Sequence, residues 1–251
     1  MRVVSMVPSW TETLITWGVD VVGRTRYCIH PEKSVVSIPV IGGTKDTRWE
    51  RLERLQADLI VVDKEENKKT VLDKTKVPLF ISHVESVEDM IPCYQKFYET
   101  FKSLGASKEI LVNIKNDIKR WEKVLVSKKV ERPFPGVLNW IDDPKEEFSH
   151  VYYIIWKDPW MVVSKNTFIG SVLSLLGYGS CFPEFDKKYA EIELLECLDK
   201  RSLFLFSSEP YDFNNPKEIE IIKGFNVPSA IVNGESFSWF GERSLKFLEN
   251  L

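Results

Sequence analysis

The stretch 107–128 limits the folds open to this chain more than any other. Ile110, Ile114, Ile118, Trp121 and Leu125 recur at spacings of four, four, three and four, which lines one face of an α-helix. Lys108, Glu109, Lys115, Asp117, Lys119 and Glu122 fall on the rest of its surface. Ser107 is a natural N-cap, Gly105 breaks whatever precedes it, and Pro133 and Pro135 forbid a helical continuation. The helix so defined has about 22 residues and a length of ~33 Å at ~1.5 Å per residue, enough to span a small domain. On both sides of it the sequence returns to short apolar strands alternating with helical patterns. The simplest architecture is α/β, two lobes over 1–105 and 130–251 joined by one stiff helical rod over 106–129.

Within the first lobe, strands are expected over 2–6, 21–23, 59–62 and 77–81, with helices over 48–55 and 87–101. The run from Leu59 to Val62 is continuously apolar, as in a buried parallel sheet. The first strand empties into Pro8-Ser9-Trp10-Thr11-Glu12, where Ser9 or Thr11 can cap a helix that Gly18 ends. The unpaired amides of such a helix start offer contacts to a ligand, and in open α/β sheets ligands gather at the carboxyl ends of strands. In the second lobe the apolar runs 137–141 and 151–156 flank an acidic loop, read as a hairpin or an inserted strand. A helix over 167–176, strands over 203–206 and 230–232, and a terminal helix around 245–248 complete the pattern.

A chain of 251 residues with 43% hydrophobic content can bury a sizeable core. Its 34 Lys+Arg are offset by 37 Asp+Glu, which argues against nucleic acid as a partner. No apolar run reaches the roughly 18 residues of a membrane span. The opening residues, with Pro8 close behind, leave no room for an export signal. The chain is then cytoplasmic, or periplasmic or membrane-anchored if a leader has been removed. Cys28, Cys93, Cys181 and Cys197 show no metal-ligand spacing and read as isolated thiols, with a Cys181–Cys197 disulfide as the alternative.

Catalytic constellations are thin. His30, His83 and His150 lack the spacing of a helical metal pair, and Gly234-Glu235-Ser236-Phe237-Ser238 departs from a nucleophile elbow at its last position. Gly177-Tyr178-Gly179 follows a helix, which removes a dinucleotide reading. What remains is aromatic: Trp10, Tyr27, Trp160, Tyr211, Trp239 and Phe240 all fall in loops expected just after strands. Large planar side chains there suit a bulky, partly apolar ligand. For Trp10 a core position is an equal alternative.

Several segments together resemble the helical-backbone metal-receptor superfamily, which includes cobalamin- and ferric-siderophore-binding proteins of ABC importers. They are Val4-Ser5-Met6-Val7-Pro8-Ser9-Trp10-Thr11-Glu12-Thr13, Val22-Gly23-Arg24-Thr25-Arg26-Tyr27-Cys28-Ile29-His30-Pro31, the turn Gly42-Gly43-Thr44-Lys45, and Ala57-Asp58-Leu59-Ile60-Val61 leading to Glu65-Glu66-Asn67. Ile155-Trp156-Lys157-Asp158-Pro159-Trp160-Met161 and Ser238-Trp239-Phe240-Gly241-Glu242-Arg243 follow later in the chain. The resemblance spans nearly the whole chain apart from 136–150, which looks like an insertion.

The resemblance implies two Rossmann-like lobes bridged by a single long α-helix, with the ligand cleft between the lobes. It implies cleft positions for Tyr27, Trp160, Tyr189 and Trp239-Phe240 with Arg243. Asp63 stands where the cobalamin receptor has a tryptophan, and the carboxylates such receptors offer to the permease align with Lys69 and Leu195, near Glu65, Glu66, Glu193 and Glu196.

The functional expectation is a monomeric, non-enzymatic solute-binding protein without a built-in cofactor or metal. It would hold a corrinoid or iron chelate for ABC-type uptake through Trp10, Arg26, Tyr27, Lys45, Trp160, Tyr189, Tyr211, Trp239, Phe240 and Arg243. The alternative is a cytoplasmic protein of the same fold with a changed site, an enzyme or accessory protein for a smaller polar ligand, with Arg26, Lys45, Glu65, Glu66 and Arg243 supplying charge.

Overall fold

A computed structural model describes residues 1–44, 46–67, 74–127, 134–145 and 147–251. By their internal contacts these divide into two units, the first made of Met1–Val84, Glu88–Val126 and Trp239–Glu249, the second of Glu85–Val87, Ser127–Ser238 and Asn250–Leu251.

The first unit carries a four-stranded parallel sheet. In chain order its elements are β1 (Arg2–Ser5), α1 (Pro8–Thr16), β2 (Asp20–Arg24), a short α2 (Glu32–Val35), α3 (Trp49–Arg54), β3 (Leu59–Asp63), β4 (Leu79–Ser82), α4 (Met90–Ser103) and α5 (Lys108–Val126). The strand order β2-β1-β3-β4 is Rossmann-like. Every residue of β3 is buried, as its apolar run predicts. Leu52 of α3 packs on one face of the sheet with Val4, Val22, Ile60 and Val62. On the other face Phe97 of α4 stacks on Phe80 of β4, with ring centroids 3.6 Å apart. Two expectations for α1 change. The helix starts at Pro8 with no side-chain cap, and Ser9 and Thr11 lie inside it. Proline suits that first position because its missing N–H would have no helical partner.

The long helix spans 19 residues, and the Ser107 hydroxyl accepts from the Ile110 amide at 3.3 Å, the expected cap. Its buried face is turned slightly from the expected one: Ile110, Ile114, Asp117, Trp121 and Val124 are buried, whereas Ile118 and Leu125 are only half-buried. The reason is Asp117, an acidic residue at a core position. It accepts a hydrogen bond from the Trp17 indole at 2.7 Å and another from Arg120 at 2.7 Å. Arg120 also reaches Glu242 and Glu249 of the terminal helix. By contact α5 therefore belongs with the first unit, where it packs on α4, and Trp239–Glu249 returns to that unit at the end of the chain.

The second unit carries a six-stranded mixed sheet of order β5-β10-β9-β6-β7-β8. Its elements are β5 (Val137–Asp142), β6 (His150–Trp156), β7 (Met161–Val163), α6 (Phe168–Leu173), β8 (Tyr189–Glu191), α7 (Leu194–Cys197), β9 (Ser202–Ser207), α8 (Pro216–Lys223), β10 (Ser229–Val232) and α9 (Gly234–Ser238); α10 (Glu242–Glu249) ends the chain in the first unit. The runs 137–141 and 151–156 do not pair with each other. β5 lies antiparallel to β10 at the sheet edge, while β6 runs parallel to β9, so the inserted-strand alternative is the one observed. All four cysteines are free. Among the described residues no helix is long and apolar enough to cross a membrane.

Candidate functional site

In the first unit the candidate residues collect where the parallel strands end. β2 stops at Arg24, and the loop after it presents Arg26 and Tyr27. The Arg26 amide donates to the Gly42 carbonyl at 2.8 Å, and its guanidinium pairs with Asp46. Tyr27 is 50% exposed and lies against Gly43. A Cβ at Gly43 would come within 2.2 Å of Asp46 Oδ1 and 3.3 Å of the Tyr27 ring, so a residue without a side chain is what lets the two segments meet. Lys45 lies outside the described residues.

Trp239, partly exposed, stands beside the same loop. The His30 ring meets it edge-on with centroids 5.5 Å apart, and the Arg243 guanidinium lies 5.3 Å from the ring centroid. Glu12 holds Arg243 with both oxygens, at 2.7 and 3.0 Å, and Glu12 is almost fully buried. A bidentate pair of this kind fixes the guanidinium plane as well as its place. Gly241 makes the approach possible: its φ is 95°, and a Cβ there would sit 2.3 Å from the Thr13 hydroxyl, which accepts from the Glu242 amide at 3.0 Å. Trp239 is thus partly exposed, with a cation and an imidazole against its ring.

Trp10 and Phe240 are different. Both are buried and pack together with centroids 5.0 Å apart, with Trp10 also against Tyr94 and Phe97. Trp10 takes the core alternative, and its indole donates to Ser82 Oγ at 2.7 Å. Ser82 in turn donates to the Asp63 carboxylate at 2.8 Å, which also accepts from the Glu65 amide at 2.8 Å. Burial raises the Asp63 pKa, and these hydrogen bonds only partly offset it. The position that the resemblance assigns to a tryptophan is therefore a buried acid closing the end of β3.

In the second unit, the candidates follow the ends of β6 and β9. Trp160 is half-buried among Phe206, Phe213 and Phe225, nearly parallel to Phe213 at 6.0 Å. Tyr211 also packs on Phe213, at 4.6 Å, and its hydroxyl donates to Glu218 at 2.9 Å. Lys157 donates to the other oxygen of Glu218 at 2.8 Å. Burial raises the Glu218 pKa, yet the bonds from Lys157 and Tyr211 outweigh it and the net shift is downward; the bond to Glu218 raises Lys157. Tyr189 is exposed on β8, and Trp156, absent from the expected set, is 41% exposed with its ring edge-on to Tyr211. Leu195 is 71% exposed on α7, and Lys69 lies outside the described residues.

Sequence reasoning missed Glu12, His30, Asp46, Glu218 and Trp156 as neighbours of the candidates. Trp156 and His30 lay in the quoted segments and could have been taken with Trp160 and Tyr27. The Glu12–Arg243 pair joins residues at opposite ends of the chain, and no local signal announces it.

No protein-family model matches this sequence, and no curated protein matches it. Solved structures do match in fold. The periplasmic vitamin B12 binding protein BtuF of Vibrio cholerae superimposes with a TM-score of 0.70 at 14% identity, covering 99% of this chain and 94% of that one. The periplasmic heme-binding protein RhuT from Roseiflexus sp. RS-1 gives 0.71 at 15%, covering 99% and 95%. The periplasmic heme-binding protein HutB of Vibrio cholerae gives 0.70 at 12%, covering 100% and 96%. The likeness is one of fold: this chain shares the fold of these periplasmic binding proteins.

Proposed function

We propose that this chain is a solute-binding protein, not an enzyme, that holds a bulky planar metal chelate such as a haem or a corrinoid for ABC-type uptake. The observation that carries the reading is the pair of accessible rings at the carboxyl end of the first sheet. Tyr27 rests on Gly43 beside Arg26, and Trp239 is braced between His30 and an Arg243 that Glu12 holds. Partly exposed rings with charged neighbours suit stacking on a macrocycle, and the two arginines suit its acidic substituents. Likeness in fold to binding proteins for vitamin B12 and heme supports the same class of ligand.

The test is a titration of the purified chain by absorbance and tryptophan fluorescence, corrected for inner-filter absorption. The panel is hemin, cobalamin, cobinamide, and ferric hydroxamate and catecholate chelates. Saturable binding of one macrocycle at about micromolar Kd or tighter, near −8 kcal/mol, is the expected result. Saturable binding of none of them overturns the reading and favours the smaller polar ligand of the alternative.

A further inference from the structure

Tyr27 and Arg26 lie against the segment Gly42–Thr44, through the Tyr27 ring on Gly43 and the Arg26 amide on the Gly42 carbonyl. At its start the Gly42 carbonyl accepts from the Arg26 amide, and the Ile41 carbonyl accepts from the Arg48 amide at 2.7 Å. Its last residue is held from elsewhere, by a side chain beyond the end of β3. The Asn67 amide nitrogen Nδ2 lies 3.1 Å from the Thr44 carbonyl and 3.3 Å from the Met6 carbonyl, and donates to both. Its Oδ1 accepts from the Asp63 amide at 2.9 Å, and its own backbone N–H donates to the Asp63 carbonyl at 3.0 Å. One half-buried primary amide thus joins the exit of β1, the exit of β3 and the turn. No other neutral side chain offers two donors and an acceptor from one planar group except glutamine, which is a methylene longer.

We infer that Asn67 is the positioning residue of the ligand site, setting the turn Gly42–Thr44 on which Tyr27 and Arg26 rest. The inference deepens the solute-binding reading and rests on it for its effect on affinity, though not for its effect on the turn. The chain of contacts is explicit. Asn67 holds Thr44; Gly43 next to it meets the Tyr27 ring; Gly42 before that accepts from the Arg26 amide. Asn67 touches neither Tyr27 nor Arg26 directly in this chain of contacts, so its influence on a ligand runs through the turn. Aspartate at this position keeps the shape and removes both donations. It also sets a second carboxylate beside Asp63 and an oxygen against two carbonyls, a loss on the order of one charged hydrogen bond.

The experiment compares Asn67→Asp and Asn67→Ala in the full chain, alone and combined with Tyr27→Ala. Hydrogen exchange of peptides covering 40–48 is read first, with no ligand present. Faster exchange there, with peptides covering 239–249 unchanged, supports the inference; unchanged exchange over 40–48 overturns it. Hemin affinity is read second. An Asn67→Asp loss of about tenfold that shrinks to less than about threefold in the Tyr27→Ala background supports action through the turn. The same loss in both backgrounds overturns it, since a merely structural residue acts independently of Tyr27. Asn67→Ala carries the comparison if the aspartate variant does not fold. Wild-type chain that ignores hemin would count against the solute-binding reading, and the exchange measurement would still decide the role of Asn67.

Discussion

Both sheets end in tryptophan and tyrosine, yet the two units treat those rings in opposite ways. In the first unit the neighbours of Tyr27 and Trp239 are charged or polar groups: Arg26, Asp46, His30, and Arg243 with its Glu12. In the second unit Trp160 packs on Phe206, Phe213 and Phe225 and Tyr211 on Phe213, with one ion pair at their edge: Lys157 lies 5.7 Å from the Trp160 centroid, and the Tyr211 hydroxyl donates to Glu218. Ions offer a ring little apolar surface to pack on, and Tyr27 is half exposed. A ring among phenylalanines packs on the edge of the core, as the half-buried Trp160 and Tyr211 do. The same residue type after the same kind of strand thus sits beside ions in one unit and on phenylalanine rings in the other.

Truncation should separate the two sharply. Trp160→Ala removes a ring from a packed aromatic cluster and should lower the unfolding free energy by about 3 kcal/mol, measured by urea titration. A loss below about 1 kcal/mol there, with hemin affinity abolished, would reverse the comparison. Trp239→Ala and Tyr27→Ala should each weaken hemin binding about tenfold, near 1.4 kcal/mol, while costing less than about 1 kcal/mol of stability. Equal losses of folding and affinity would show Trp239 to be core as well.

Between these in size is the charged pair beneath Tyr211. Glu218 has a lowered pKa in the fold, so its contribution to stability is present above the ordinary carboxyl range and is lost as pH falls through the folded value. Glu218→Gln should cost about 2 kcal/mol near neutral pH, because it leaves the largely buried Lys157 without its counter-charge. The cost should diminish in acid, where the wild-type pair is itself protonated. A pH-independent cost would mean that the bond from Tyr211 matters and the charge does not.

The long helix and the longer strands were legible because each rests on local periodicity and on glycine or proline at its ends, whereas β7 and β8, of three residues each, are too short to show a period. Trp10 was not, because a tryptophan in the first turn of a helix reads alike whether it faces a ligand or Phe97 and Tyr94. The buried Asp117 was hidden for a related reason: an acidic residue is assigned to solvent unless its partners are known, and Trp17 donates to it across 100 positions of sequence. The Glu12–Arg243 pair shows the limit most clearly, since residues 231 apart carry no shared local pattern.

The smallest effect sharpens the comparison because its sign is opposite. Asp63 in the first unit has a raised pKa, foremost through burial, so the stability tied to its protonation is present below the ordinary carboxyl value and lost as pH rises through the folded one. Asp63→Asn removes that dependence. The amide is accommodated by the surrounding network: the Ser82 hydroxyl can turn to the Val62 carbonyl, 3.1 Å away, and accept from the new Nδ2, while Oδ1 continues to accept from the Glu65 amide. The variant should therefore lie within about 1 kcal/mol of wild type in acid and gain on it as pH rises, read as Tm at about pH 3 and about pH 7. Glu218→Gln should move the other way over the same range. Parallel slopes for the two variants would mean that the acid at the end of β3 is held as an ion, as in the second unit, and that the two strand ends differ in their rings alone.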